Sequence, residues 1–174
     1  MSLIYCPIKY LTIDELGAVP GDFNIKSNIH GAAHTNRVIY YALCLCKVMG
    51  YHDIMPQVWA AALIHDIARE TEGIEPGHGR ASALKAGRKG QRFAELINKA
   101  DLTDEQVCEA FVAAAAHDLP VAPPSKCAAV LKDADVMDRI RLGEDPRTFR
   151  FYIERSRLLS RFATKLTKLI DNLR

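Results

Sequence analysis

Polar residues that can bind a metal interrupt several apolar stretches of this chain. His65 and Asp66 lie inside VWAAALIHDIA, His117 follows EAFVAAAA, and Asp135 lies within CAAVLKDADVMDRI. An imidazole or a carboxylate that is buried without a partner destabilises a protein by several kcal/mol. A fold that buries these stretches must therefore bring their polar side chains to partners, and one shared divalent cation would satisfy several of them together.

The composition is typical of one compact domain in a reducing compartment. The chain has 174 residues, of which 49% are hydrophobic and 25% are charged, so it is long enough to bury a sizeable core. Its five cysteines contain no CxxC pair, which favours free thiols and a cytoplasmic location over disulfides or a thiolate zinc site. No apolar run reaches the roughly 18 residues of a membrane span, so we expect no membrane partner.

The charge balance does not indicate a polyanionic partner. The 23 basic and 21 acidic residues give a formal net charge of +2, which provides no dominant field for nucleic acid. The strings RKGQR and RFATKLTK lack the interleaved aromatic residues that stack on bases, so we interpret them as solvated faces. A small anionic substrate remains compatible with this composition because it needs only a local cluster of cations.

The spacing of apolar residues predicts an all-α fold, and no segment shows the alternation of a strand. Gly50 supplies a left-handed stop after the first helix, and Thr103 with Gln106 forms a capping box that opens a later one. We expect residues 1–27 to form a lead-in that packs on a single helical domain over residues 28–174. The expected helices span residues 28–49, 53–69, 80–89, 91–99, 103–118, 125–142 and 146–173, with His78 on the loop before the third.

The ordered pattern H…HD…D resembles the HD-domain superfamily of metal-dependent phosphohydrolases. The resemblance is carried by HGAAHTNRV, AALIHDIARE and LKDADVMDRIRL, within residues 28–142. It implies a compact multi-helix bundle in which water on a divalent metal attacks a phosphate ester or anhydride. Nitrogen and carboxylate ligands without thiolate suit manganese, iron, nickel, cobalt, zinc or magnesium. The ligands implied by the resemblance are His34, His65, Asp66 and Asp135.

Two further histidines extend the pattern to H…HD…H…H…D. The longer pattern resembles the superfamily members that hold two metals, which include the HD-GYP phosphodiesterases and the di-iron oxygenases related to inositol oxygenase. His78 and His117 would complete that ligand set, and Asp66 would bridge the two ions. The chain lacks the GYP sequence, which argues against hydrolysis of cyclic dinucleotides. Two alternatives remain open, because the helix dipole could stabilise a protonated His117 and His78 could contact the substrate.

Phosphate chemistry also needs cations that can contact anionic oxygens. Arg37 lies one helical turn after His34, and Lys132 lies one turn before Asp135. We expect both to bind substrate, together with His30, which shares a helix face with His34. Arg69 follows the HD pair by one turn, and we expect it to act in catalysis with Asp66, although it could instead be a surface partner of acidic neighbours.

The sequence therefore predicts a metal-dependent phosphohydrolase that acts on a small phosphorylated metabolite, with a nucleotide as the favoured substrate and one or two divalent ions as the cofactor. Two other hypotheses stay open. One is a di-iron oxygenase of the same fold, and the other is a non-catalytic module that binds a metal or a nucleotide. The sequence leaves open the substrate, the metal and the choice between a monomer and a homodimer.

Overall fold

The computed structural model describes residues 8, 11–12, 14–88, 92–161, 163, 165 and 167–168. Within these residues the chain forms seven α-helices and three short 3-10 turns, and it contains no strand. The prediction of an all-α fold is confirmed. The helices are α1 (Ala32–Met49), α2 (Met55–Ile64), α3 (His78–Ala86), α4 (Arg92–Lys99), α5 (Asp104–Ala116), α6 (Lys126–Asp138) and α7 (Glu154–Ser160).

Four of the helices close a bundle. Helix α1 packs against α2 and α6, and α5 also packs against α2 and α6. Every residue of α2 except Pro56 is buried, which makes α2 the central element. Helix α3 packs on α5. Any polar side chain that points inward from these elements is therefore removed from water.

Local signals in the sequence account for several helix ends. Gly50 ends α1 in the left-handed region with φ 70°, and its amide donates to the carbonyls of Cys46 and Lys47. Thr103 and Gln106 form the capping box that begins α5. Both predictions are confirmed.

Other boundaries differ from the predicted ones. Helix α2 ends at Ile64 and not near residue 69. In a continuing helix the Ala62 carbonyl would accept the amide of Asp66. Here it accepts the ring Nδ1–H of His65 instead (2.7 Å). His78 is the first residue of α3 and does not lie on a loop. The preceding residue, Gly77, adopts a left-handed conformation with φ 84°, which glycine tolerates. The chain therefore enters the helix at residue 78, two residues before the predicted start at residue 80.

The final helix also begins later than its apolar pattern predicted. A 3-10 turn at Pro146–Thr148 is followed by non-helical residues, and α7 starts only at Glu154. The buried carboxylate of Asp133 accepts the amides of Tyr152 (2.9 Å) and Ile153 (2.8 Å), which holds this segment out of a helix. The predicted end of the helix, over residues 169–173, lies outside the described residues.

Part of the N-terminal segment packs on the bundle. Leu16 and Ala18 belong to the hydrophobic core, and the Leu16 carbonyl accepts the indole N–H of the fully buried Trp59 (2.9 Å). No helix in the described ranges is both long and apolar enough for a membrane span.

The contact between α3 and α5 leaves no room for a side chain at Gly79. A Cβ there would overlap the Ala114 carbonyl oxygen and would lie 2.7 Å from His117 Nδ1. We expect Gly79→Ala to reduce the free energy of unfolding by on the order of 1–3 kcal/mol, because the two helices must move apart. Chemical denaturation measures this change.

Gly87→Ala is the matched control. Gly87 also belongs to the α3 region, but a Cβ at this position would have its closest contact with the Phe111 ring, at an ordinary distance of 3.4 Å. Its unfolding free energy should stay within about 0.5 kcal/mol of the unmodified protein. Equal stability of the two variants would contradict the tight packing of α3 on α5.

Candidate metal centre

All six residues expected to bind metal lie together where the helices of the bundle meet, and all except Asp135 are buried. His34 comes from α1 and Asp135 from α6, and their Nε2 and Oδ1 atoms are 3.2 Å apart. His65 follows α2, and its Nε2 is 3.1 Å from Nε2 of His34. His78 begins α3 and His117 follows α5, with their Nε2 atoms 2.9 Å apart. Five separate elements thus meet at one cluster of side chains.

Asp66 lies between the two pairs of histidines. Its Oδ2 is 3.5 Å from Nε2 of His34 and 3.7 Å from Nε2 of His65. Its Oδ1 is 3.0 Å from Nε2 of His78 and 3.5 Å from Nε2 of His117. The Asp66 side chain is only 3% exposed. Each carboxylate oxygen therefore faces a different pair of imidazoles.

The four imidazole rings share one orientation relative to this centre, because each Nδ1 has its own acceptor outside the cluster. These acceptors fix the Nδ1–H tautomer, as inferred from the hydrogen bonds, and leave each Nε2 lone pair directed inward. The Nδ1 contacts are His34 to Asp138 (2.7 Å), His65 to the Ala62 carbonyl (2.7 Å), His78 to the Glu75 carbonyl (2.6 Å) and His117 to the Ala114 carbonyl (2.7 Å).

This donor set fits divalent cations. Inward lone pairs on neighbouring nitrogens repel one another unless a proton or a cation lies between them. Asp66 Oδ1 is buried, and no described residue donates a hydrogen bond to it in suitable geometry. His34, His65 and Asp135 form one group that could hold a metal, and His65, Asp66 and His117 form another. The donors are nitrogen and oxygen atoms, so the chemistry of the set is compatible with several metals.

The electrostatics of the cluster favour ionised carboxylates. Burial tends to lower the pKa of His34, but its hydrogen bonds to Asp135 and Asp138 prevail and raise that pKa to about 10. Burial lowers the pKa of His65 to about 4. Burial opposes ionisation of Asp66, yet the surrounding imidazoles, His65 first, hold its pKa well below the usual value. Without a cation, a proton on Nε2 of His34 therefore compensates part of the negative charge of Asp66 and Asp135. A divalent cation would take the place of this proton and leave the Nε2 lone pair free to bind it.

Asp138 supports the cluster, and our sequence reasoning missed it. The side chain is 1% exposed and accepts hydrogen bonds from His34 Nδ1, from Arg37 Nε (2.6 Å) and from Arg141 Nε (2.8 Å). Burial opposes its ionisation, but His34 and the two guanidinium groups lower its pKa to about 2. Its position one helical turn after Asp135 was the available signal, since that spacing places both carboxylates on one face of α6.

The structure gives Arg37 a different position from the expected one. We predicted contact with substrate, but Arg37 is only 5% exposed and directs its guanidinium to Asp138. The charge of the buried carboxylate accounts for this orientation, because an unpaired charge in the core would be strongly destabilising. Arg37 thus lies behind His34 as seen from the cluster.

The remaining predicted residues border the cluster. Arg69 Nη1 is 3.9 Å from Asp66 Oδ1 and 3.1 Å from Nε2 of His78, while Nη2 donates to the Gly73 carbonyl (2.5 Å). His30 Nδ1 is 3.1 Å from Asp66 Oδ2, so this ring could also join His34 and Asp66 around a metal. Lys132 lines a cavity next to the cluster and donates to the Val121 carbonyl (3.1 Å).

Comparison with known proteins agrees with this geometry. A sequence model of the HD domain matches residues 31–140, which is more than half of the chain and includes all six clustered residues. No curated protein and no solved structure matches the chain. The chain therefore belongs to the HD-domain superfamily of metal-dependent phosphohydrolases.

Proposed function

We propose that this chain is a phosphohydrolase that uses two divalent cations to cleave a small phosphorylated metabolite, with nucleotides as the favoured substrates. The position of Asp66 carries the proposal, since its two oxygens face two different pairs of imidazoles. A carboxylate in this position could be shared by two cations, an arrangement that suits phosphoryl displacement.

In this proposal the cluster contains two adjoining metal sites. Asp66 Oδ2 would belong to the first site and Asp66 Oδ1 to the second. When bound, the cations supply Lewis acidity, which acidifies water and polarises the phosphoryl group. His34, His65 and Asp135 would complete the first site, and His78 and His117 would complete the second.

Residues around the two sites would position the substrate and stabilise charge. Arg69 is 5% exposed and lies beside Asp66 and His78, so its guanidinium would interact strongly with a phosphoryl oxygen in this dry environment. His30, with 24% of its side chain exposed, lies where the cluster meets solvent and would contact substrate or a cation. Arg37 would act through Asp138, by keeping the Nε2 of His34 directed at the first site.

A di-iron oxygenase is the second candidate. The same four imidazoles and two carboxylates would also suit a pair of iron ions. Oxygen consumption distinguishes the two candidates, since hydrolysis releases phosphate under anaerobic conditions and the oxygenase requires stoichiometric oxygen.

Location and domain organisation are also part of the proposal. The four cysteines in the described part of the chain are free thiols, which supports a reducing, cytoplasmic location. The match to the HD domain begins at residue 31, close to the proposed start of a single helical domain at residue 28. The segment over residues 1–27 would then be a lead-in that packs on this domain.

The shared position of Asp66 leads to a graded prediction of metal content. Asp66→Ala should lose both ions and hydrolytic activity, because both sites lose a ligand. His117→Ala should lose only the second ion, because the nearest Asp66 atom to His117 Nε2 is Oδ1 (3.5 Å), the oxygen assigned to the second site. Plasma mass spectrometry on protein purified without chelators measures the metal content, and phosphate release measures the activity.

Asp53→Ala is the control for that comparison. Asp53 is exposed, and the helix that follows has no side-chain cap, so its removal should change neither metal content nor activity. Full activity in Asp66→Ala, or identical metal content in Asp66→Ala and His117→Ala, would contradict a bridging carboxylate.

The support that Asp138 gives to His34 leads to a further prediction. Asp138→Asn keeps the shape of the side chain but removes the charge that orients the imidazole and pairs with Arg37. We expect metal affinity to fall roughly 10- to 100-fold. Competition with a chromophoric chelator measures this affinity, and an unchanged affinity in a folded variant would show that Asp138 does not position His34.

A further inference from the structure

A cavity of about 290 Å³ opens beside the metal cluster. His117 and Asp135 line it on the side of the cluster, while Phe149, Arg150 and Tyr152 line it elsewhere. Pockets for small molecules start at roughly 300 Å³, so this cavity suits a small ligand. A group held in it would lie next to a phosphate bound at the cluster.

The far wall of the cavity is held in place by α6. Asp133 is fully buried and accepts the backbone amides of Tyr152 and Ile153. It lies two residues before Asp135 on the same helix. The turn of α6 that brings Asp135 to the cluster therefore also fixes the backbone next to Arg150, so the cavity wall has a defined distance from the cluster.

The cations of this cavity differ in how they are paired. The Arg139 guanidinium forms an ion pair with Glu144, with Nε 2.8 Å from Oε1, so these two charges compensate each other. Neither Lys132 nor Arg150 forms an ion pair with a carboxylate of the described residues, although Asp118 and Asp135 lie near enough to Lys132 to attract its charge. The ammonium of Lys132 does hydrogen-bond to the Leu119 and Val121 carbonyls, which hold it at the cavity.

Both of these cations lie against the same aromatic ring. Lys132 Nζ is 5.7 Å from the centroid of the Tyr152 ring, and Arg150 Cζ is 5.2 Å from it. Lys132 is only 6% exposed, so its charge is poorly solvated. Two positive charges that no ion pair compensates would thus interact favourably with an anion in the cavity.

We propose that Lys132, Arg150 and Tyr152 form a subsite for a second anionic group of the substrate, beyond the phosphate at the metal cluster. The inference rests on the proposed hydrolase function and narrows its substrate class. The substrate would be a small phosphorylated metabolite that carries another phosphoryl group or a carboxylate. Arg150 would fork onto two oxygens of that group, and Lys132 would add a second charge from the buried side.

Binding of small anions to the metal-loaded full chain tests this subsite. Calorimetric titrations would compare orthophosphate with methylenediphosphonate and phosphonoacetate, which add a second phosphonate or a carboxylate and resist hydrolysis. We expect at least one of these two probes, each with two anionic groups, to bind the unmodified protein roughly tenfold more tightly than orthophosphate. In Arg150→Gln that preference should fall by roughly tenfold, because a charge-assisted hydrogen bond is lost.

Arg147→Gln is the matched control. Arg147 lies three residues earlier, has a side chain that is 89% exposed, and pairs with Asp145. It does not line the cavity. This variant should bind all three probes like the unmodified protein. Arg150 is the better test residue than the buried Lys132, because its exposed side chain can be replaced without loss of folding.

Two results would overturn the subsite. One is equal affinity of the unmodified protein for all three anions. The other is a preference that persists unchanged in Arg150→Gln, which would assign it to chelation by the metals. Failure of the proposed hydrolase function would have a different signature. The unmodified protein would then release no phosphate from any phosphate ester, whatever the effect of Arg150→Gln on binding.

Discussion

The buried carboxylate of Asp66 is the constraint around which this bundle is arranged. A side chain that is 3% exposed must be stabilised by its neighbours, and here four imidazoles from separate elements surround it. Protonation of the rings can compensate only part of the cost of burying these groups, since burial lowers the pKa of His65 to about 4. Divalent cations at this centre would compensate the carboxylates and the inward lone pairs together.

The helices end where the cluster begins. His65 and His117 each follow the last residue of a helix, and each ring donates to the carbonyl three residues earlier. The same hydrogen bond therefore terminates the helix and directs Nε2 inward. Gly79 lets α3 approach α5 closely enough for His78 to reach His117. Secondary structure and site geometry are thus produced by the same contacts.

Four of the clustered residues could be predicted because they interrupt apolar stretches, and burial leaves such a side chain few alternatives to a shared partner. These residues are His65, Asp66, His117 and Asp135. His34 and His78 were indicated by the ordered pattern of histidines and aspartates. The spacing of Asp138 from Asp135 indicated that the two share a helix face. The pairing of Asp138 with Arg37 and His34 could not be predicted, since it depends on how α1 and α6 are rotated against each other. The late start of α7 was equally inaccessible, because the apolar pattern does not reveal that Asp133 bonds the amides of Tyr152 and Ile153. Periodicity describes one helix, whereas these contacts join two elements.

Anomalous diffraction from crystals of the metal-loaded protein tests the central claim most directly. The account predicts two metal peaks about 3.5–4 Å apart, one on each side of the Asp66 carboxylate. The first should lie between His34, His65 and Asp135, and the second between His78 and His117. A single peak, or two peaks that do not share Asp66, would contradict the account.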